Sequence, residues 1–218
     1  MSLVLVSASP FAQKLSQNEI NSLNYTIYQS LAKENSLVMK RKTSQGEVSS
    51  CDFEYTYAYR DFNAKQGATV MVQGAFGFLY AKGKLPSYFL KIQPYVSDVT
   101  TKDKDKMWIL TPLFYLDVFA NGKSIKKYQM SEFACENGGV CRVYSDSDGS
   151  LAKTVYGPKN FDFEIKFSLS KGGIDNSLVF SDLIPKNKYL VEATNFIECS
   201  LEIMNRMEKD LEQLPKGK

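Results

Sequence analysis

Histidine is absent from this 218-residue chain. Its absence removes the commonest general base and the commonest side-chain ligand of transition metals. It excludes every serine or cysteine triad that relies on imidazole, and it leaves lysine- or carboxylate-based chemistry open. No apolar run approaches the roughly 18 residues of a membrane-crossing helix, so no integral membrane segment is expected. Neither sign of charge dominates: 27 Lys and Arg stand against 24 Asp and Glu, a formal net charge of +3. That is too weak to argue for nucleic acid, which needs a concentrated basic face. MKRKT (39–43) is short, and the lysines of TTKDKDKMW alternate with aspartates; both read as solvated strand-end or loop charge. The sequence has no internal repeat, low-complexity tract or clear linker.

What is present is aromatic and apolar: 13 Tyr, 14 Phe and 44% hydrophobic residues, ordinary for a globular chain long enough for one sizeable domain. SQNEINSLNYTIYQSLAKEN reads as a helix. Ser16 and Glu19 form a capping box, Ile20, Leu23, Ile27 and Leu31 recur at helical spacing, and Asn35 is the stop.

From Leu37 the period changes to two. In CDFEYTYAYRDF, Cys51, Phe53, Tyr55, Tyr57 and Tyr59 share one face, and Asp52, Glu54, Thr56 and Arg60 the other: a half-buried antiparallel strand. Gly74 and Gly77 lie inside the next strand, where glycine marks a bulge, a bend or the close approach of another group. Pro94 implies an edge or bulge in the third. KMWILTPLFYLDVFANG is apolar on both faces and is expected to be central, with a bulge near Pro112. KKYQMSEFACENGGVCRVYS reads as a hairpin, and NFDFEIKFSLSKGG alternates cleanly. At the end of the chain Leu190, Ile197, Met204 and Leu211 recur every seven residues; Tyr189, Phe196, Cys199 and Ile203 widen the stripe, so this helix is expected to bury more than one side.

The expectation is one α+β domain over 13–218: a long antiparallel, strongly bent meander flanked by an N-terminal and a long C-terminal helix, both packed on one face of the sheet. The order of elements resembles that of helix-grip carriers, a likeness of layout that fixes no function.

Four cysteines allow three pairings. In CENGGVC, the Asn137-Gly138 and Gly138-Gly139 dipeptides favour a hairpin turn that brings Cys135 opposite Cys141, within bridging reach. That leaves Cys51 to Cys199, which would pin the C-terminal helix to the aromatic strand. Residues 1–12 carry an apolar run, Leu3 to Val6, followed by small residues to Ala12, the pattern of a signal-peptide remnant; the alternative is a disordered N-terminus. Both features point to an oxidising compartment, the periplasm or the cell exterior.

Motifs with chemistry are few. In SDSDGS, placing Gly149 sixth in a calcium loop puts Tyr144 first and Val155 twelfth, where ligands belong; an Asp-Gly turn is the reading. GAFGFLYAKGKL lacks phosphate-loop spacing. Asn24-Tyr25-Thr26 is a glycosylation sequon inside the predicted helix and is set aside. The pairs Asp52/Glu54 and Asp162/Glu164 read as solvated strand faces rather than acid–base dyads. Lys82, Lys84 and Lys91 suit catalysis only if one is buried.

These exclusions lead to an exported, non-enzymatic protein-binding module of inhibitor, immunity or envelope accessory type, with no metal or cofactor. Its contact residues are expected on loops, at Glu136 and Asn137 in the cysteine hairpin and at Tyr144, Asp146, Asp148 and Tyr156 beyond it. One alternative is a carrier of an apolar ligand, with Phe53, Tyr55, Tyr57, Tyr59 and Phe196 lining the cavity. The other is a hydrolase that uses carboxylates or lysine.

Overall fold

The computed structural model describes residues 15–63, 67–101, 103, 106–128, 140–145, 162–171 and 176–212, with backbone alone for 125–128 and 140–145. The N-terminal helix α1 (Gln17–Leu31) starts as its sequence requires: Glu19 N–H donates to Ser16 Oγ at 3.3 Å, and Ser16 N–H donates to the Glu19 carboxylate at 2.7 Å. These bonds satisfy donors that a helix start leaves orphaned. The backbone bond leads, with the Ser16 hydroxyl second, in holding the Glu19 carboxyl below its usual range. A 3-10 turn carries the chain to Asn35, whose side-chain oxygen accepts the Ala58 N–H at 2.8 Å.

Strands β1 (Ser36–Ser44), β2 (Glu47–Asp61), β3 (Ala68–Leu79), β4 (Ser87–Ser97) and β5 (Trp108–Leu110) form the expected antiparallel meander. The later strands are β6 (Tyr115–Ala120), β7 (Lys123–Tyr128), β8 (Val140–Ser145), β9 (Phe163–Ser168) and β10 (Asn176–Val179). β8 joins the first sheet beside β4, and the rest form a second sheet in the order β10-β9-β6-β7. The stretch around Pro112 is therefore divided: β5 belongs to the first sheet, and β6 is an interior strand of the second. Proline, which cannot donate to a ladder, lies in the crossing between them. Pro94 has a related explanation. On one side β4 pairs with β8 over Ser87–Ile92 and with β5 over Tyr95–Ser97, so Pro94 falls where one partner hands over to the next.

Strand alternation divides the first sheet into an inner and an outer face. The inner set includes Cys51, Phe53 and Tyr55 on β2, Val72, Phe76 and Phe78 on β3, and Tyr88, Leu90 and Ile92 on β4, all buried. The long helix α2 (Lys186–Glu212) and the second sheet pack on this face. Phe196 stacks on Phe53 at 4.6 Å between ring centroids, and Phe163 of β9 lies 4.1 Å from Phe76.

The two helices take opposite faces, which corrects the expectation that they share one. α1 lies over one end of the outer face, where Asn24 bonds Thr69 and Ser97 and Tyr25 packs near Arg60. The contact line of α2 is also offset from its heptad row. Tyr189, Ala193, Phe196, Cys199, Ser200 and Ile203 are buried, whereas Leu190 and Leu211 at the row's ends are exposed. The residues that widened the stripe are the core line.

The Cys51–Cys199 bridge is present and joins β2 to α2. α2 also protects the open edge of β1, because the outward Met39 N–H donates to the Glu192 carboxylate at 3.0 Å. An occupied edge donor is not available to another strand.

Candidate binding groove on the outer face of the six-stranded sheet

Beyond the end covered by α1, the outer face forms an open groove of about 500 Å3, within the range of ligand sites. Local sequence makes it. β3 contributes Ala75 and Gly77 to this face, with Gln73 beyond them, so its centre carries small side chains. Longer residues rise on either side: Val38, Lys40 and Lys42 from β1, Glu54 and Thr56 from β2, and Phe89, Lys91 and Gln93 from β4.

Both strand glycines mark a close approach. A Cβ at Gly77 would lie 2.6 Å from Asp52 Cβ and 2.7 Å from the Phe89 ring; one at Gly74 would run into Lys91 O and lie 2.5 Å from the Tyr55 hydroxyl. The missing side chain at Gly74 is what lets Tyr55 donate to the Lys91 carbonyl at 2.8 Å. Burial pushes the Tyr55 hydroxyl far above its ordinary value, so it stays a neutral donor.

The charges of the groove are arranged unevenly. Asp52, expected on a solvated strand face, is fully buried. Lys42 Nζ lies 2.9 Å from one of its oxygens and Ser50 Oγ donates to the other at 2.9 Å. A carboxylate removed from water requires such partners. Lys42 also lies 3.7 Å from the half-exposed Glu54. Lys40 and Lys91 are exposed and have no ion-pair partner among the described residues. Arg41 points the other way and pairs with Glu202 of α2 at 2.7 Å. Strand alternation thus splits the basic run, placing Lys40 and Lys42 over the groove and Arg41 against the helix. This arrangement was readable in MKRKT once it is taken as a strand rather than a strand end. Lys91 belongs to the set only through the β3–β4 pairing.

The other residues singled out from sequence fall as follows. Phe53 and Phe196 are fully buried and stacked on each other. Tyr57 and Tyr59 stack at 5.6 Å and are half-buried against the core; burial first, then Tyr28 and Asp182, raise the Tyr57 hydroxyl. Of this row, Tyr55 also lines the groove. Cys135, Glu136, Asn137, Asp146, Asp148 and Tyr156 lie outside the described residues, and with them the Cys135–Cys141 bridge. The backbones of Cys141 and Tyr144 are in β8, opposite Lys91 and Tyr88.

The second carboxylate pair is in the other sheet. Glu164 accepts from Ser177 and lies 3.6 Å from Lys166. Burial raises the Asp162 carboxyl, outweighing the hydrogen bonds from Ser181. Lys82, Lys84 and Lys91 are all exposed, so none meets the condition set for catalysis. Asn24 of the sequon is buried, with its side-chain oxygen accepting Ser97 Oγ at 2.7 Å, which supports setting the sequon aside. Among the described residues, no group of His, Cys, Asp and Glu is placed to hold a metal ion, and no helix is long and apolar enough to cross a membrane. No family model, no curated protein and no solved structure matches the chain.

Proposed function

We propose that this chain is an exported, non-enzymatic module that binds another protein, with the outer face of the six-stranded sheet as its working surface. The observation that carries this reading is the open, polar groove on a rigid sheet, flanked by two exposed lysines that have no ion-pair partner among the described residues. Such a surface presents donors and charge at no folding cost to a partner. The strand β8, which separates the two loops expected to make contact, pairs with β4, one wall of this groove. A disulfide between elements 148 residues apart suits a chain that works in an oxidising compartment, periplasmic or extracellular.

The competing readings have less support. The two tyrosines raised furthest, Tyr55 and Tyr189, are raised chiefly by burial, a direction that withdraws them from acid–base work near neutral pH. The aromatic row proposed for an apolar ligand is faced by Phe196 and Phe180 of the chain itself.

Site-specific photo-crosslinking in the native host tests the reading. A crosslinking residue at Gln73 or Val38 should give a discrete adduct with a second polypeptide in the extracytoplasmic fraction. The same group at the exposed Leu201 of α2 should not. An adduct from Leu201 alone, none from either groove position, or a purely cytoplasmic pool would overturn it.

A further inference from the structure

We propose that the groove recognises an extended acidic peptide segment whose two carboxylates are spaced to reach Lys40 and Lys91. The inference rests on the protein-binding reading and names the partner's chemistry. Lys42 is occupied by Asp52 and Glu54, which leaves Lys40 on β1 and Lys91 on β4 as the groove cations without an ion-pair partner among the described residues. Three strand spacings of roughly 4.8 Å and a two-residue register offset, with Lys40 in line with Phe89, put their backbones about 16 Å apart. An extended peptide advances about 3.3 Å per residue, so side chains at positions i and i+4 share a face and stand about 13 Å apart. A peptide laid obliquely across the strands with Asp or Glu at those positions brings both carboxylates within reach of the two long, exposed lysine side chains.

The path between them favours a peptide over a continuous polyanion. Glu54, Ala75 and Gly77 lie between the two lysines, and Thr56, Gln73 and Gln93 form the next row of the groove beyond Lys91, where an amide side chain both donates and accepts, as a peptide backbone alongside requires. Glu54 also faces the groove, with its side chain about half exposed at 47%. It repels a ligand charged at every unit, such as polyphosphate or nucleic acid, and tolerates one charged at its two ends with a neutral middle. The repulsive element supplies the discrimination as much as the lysines supply attraction.

Fluorescence anisotropy on the full, oxidised chain decides it. The probe is a labelled seven-residue serine peptide with glutamates four positions apart. The comparisons are its glutamine counterpart, a hexaglutamate peptide and inorganic polyphosphate. The spaced glutamate peptide should bind at least tenfold more tightly than its glutamine counterpart, and weaken as salt rises. K40E/K91E should lose at least tenfold, and K40Q/K91Q should lose in the same direction while keeping the native far-UV spectrum. K33E/K188E, at exposed lysines outside the groove, should bind like the parent. E54Q should strengthen hexaglutamate binding more than binding of the spaced peptide. Equal affinity for the glutamine peptide, indifference to K40Q/K91Q, or tighter binding of polyphosphate would overturn the inference. If no peptide binds while Gln73 still crosslinks a partner, the acidic-segment inference fails and the protein-binding reading stands; loss of the crosslink removes both.

Discussion

Reduction of the Cys51–Cys199 bridge in a C135A/C141A background isolates one covalent contact, because no other cysteine is then present. The bridge closes a loop of 148 residues. In the chain-entropy model such a loop withholds about 17 cal/mol/K from the unfolded ensemble, or about 5 kcal/mol at 25 °C; native bridges removed from proteins cost about 2–5 kcal/mol. The non-covalent contacts that surround it, chiefly Phe53 against Phe196, do not depend on the bond. The loss therefore belongs mainly to the unfolded state.

Urea unfolding by circular dichroism measures it. With a slope of about 3 kcal/mol/M for a chain of this size, the midpoint should fall by about 0.7–1.7 M. The slope itself should rise, since the reduced unfolded chain exposes more surface. A midpoint shift under about 0.3 M with an unchanged slope would refute the reasoning, by showing that the bridge does not restrain a long loop in the unfolded chain.

Three further outcomes follow from the geometry. G74A should destabilise by about 3 kcal/mol, the upper end for overpacking, because the new methyl meets a backbone carbonyl and the Tyr55 hydroxyl; a midpoint within about 0.5 kcal/mol of the parent would count against this close approach. N24A should cost about 1–3 kcal/mol by removing the acceptor of the buried Ser97 hydroxyl, while Thr69 N–H keeps its bond to Ser97 Oγ, and intact-mass analysis of the parent secreted from a glycosylating host should find Asn24 unmodified. D162N should be more stable than the parent at pH 7. Burial raises the Asp162 carboxyl, so the folded chain binds that proton more tightly than the unfolded one and ionisation opposes folding. The difference should close as pH falls through the raised folded value towards the ordinary value of 3.8, and a gap that does not change with pH would be the wrong result.

Much of the architecture was legible because its signals are local. The α1 capping box needs only Ser16 and Glu19 three residues apart, and the two-residue period of β2 needs only its own side chains. The crowding at Gly74 and Gly77 was announced by glycine within a strand pattern. Cysteine arithmetic paired Cys51 with Cys199 by elimination, and the bridge is there.

What escaped the sequence depends on partners distant in the chain. The two-faced apolar stretch around Pro112 is the same string whether it forms one bulged strand or two strands in different sheets; which arises is decided by what β4 and β9 offer for pairing. The faces taken by α1 and α2 were likewise undetermined, since an amphipathic helix states which side it buries and not against which surface. Asp52 looked like any carboxylate on a polar strand face. It becomes a buried, paired charge because Lys42, Ser50 and Phe89 close over it across Gly77. The candidate groove is the clearest division between the two. Alternation in β1 by itself sends Lys40 and Lys42 to one side and Arg41 to the other. Only the sheet, by setting β4 three strands away from β1, brings Lys91 to the same surface, because a strand period fixes the face of a side chain and hydrogen-bond pairing fixes its neighbours.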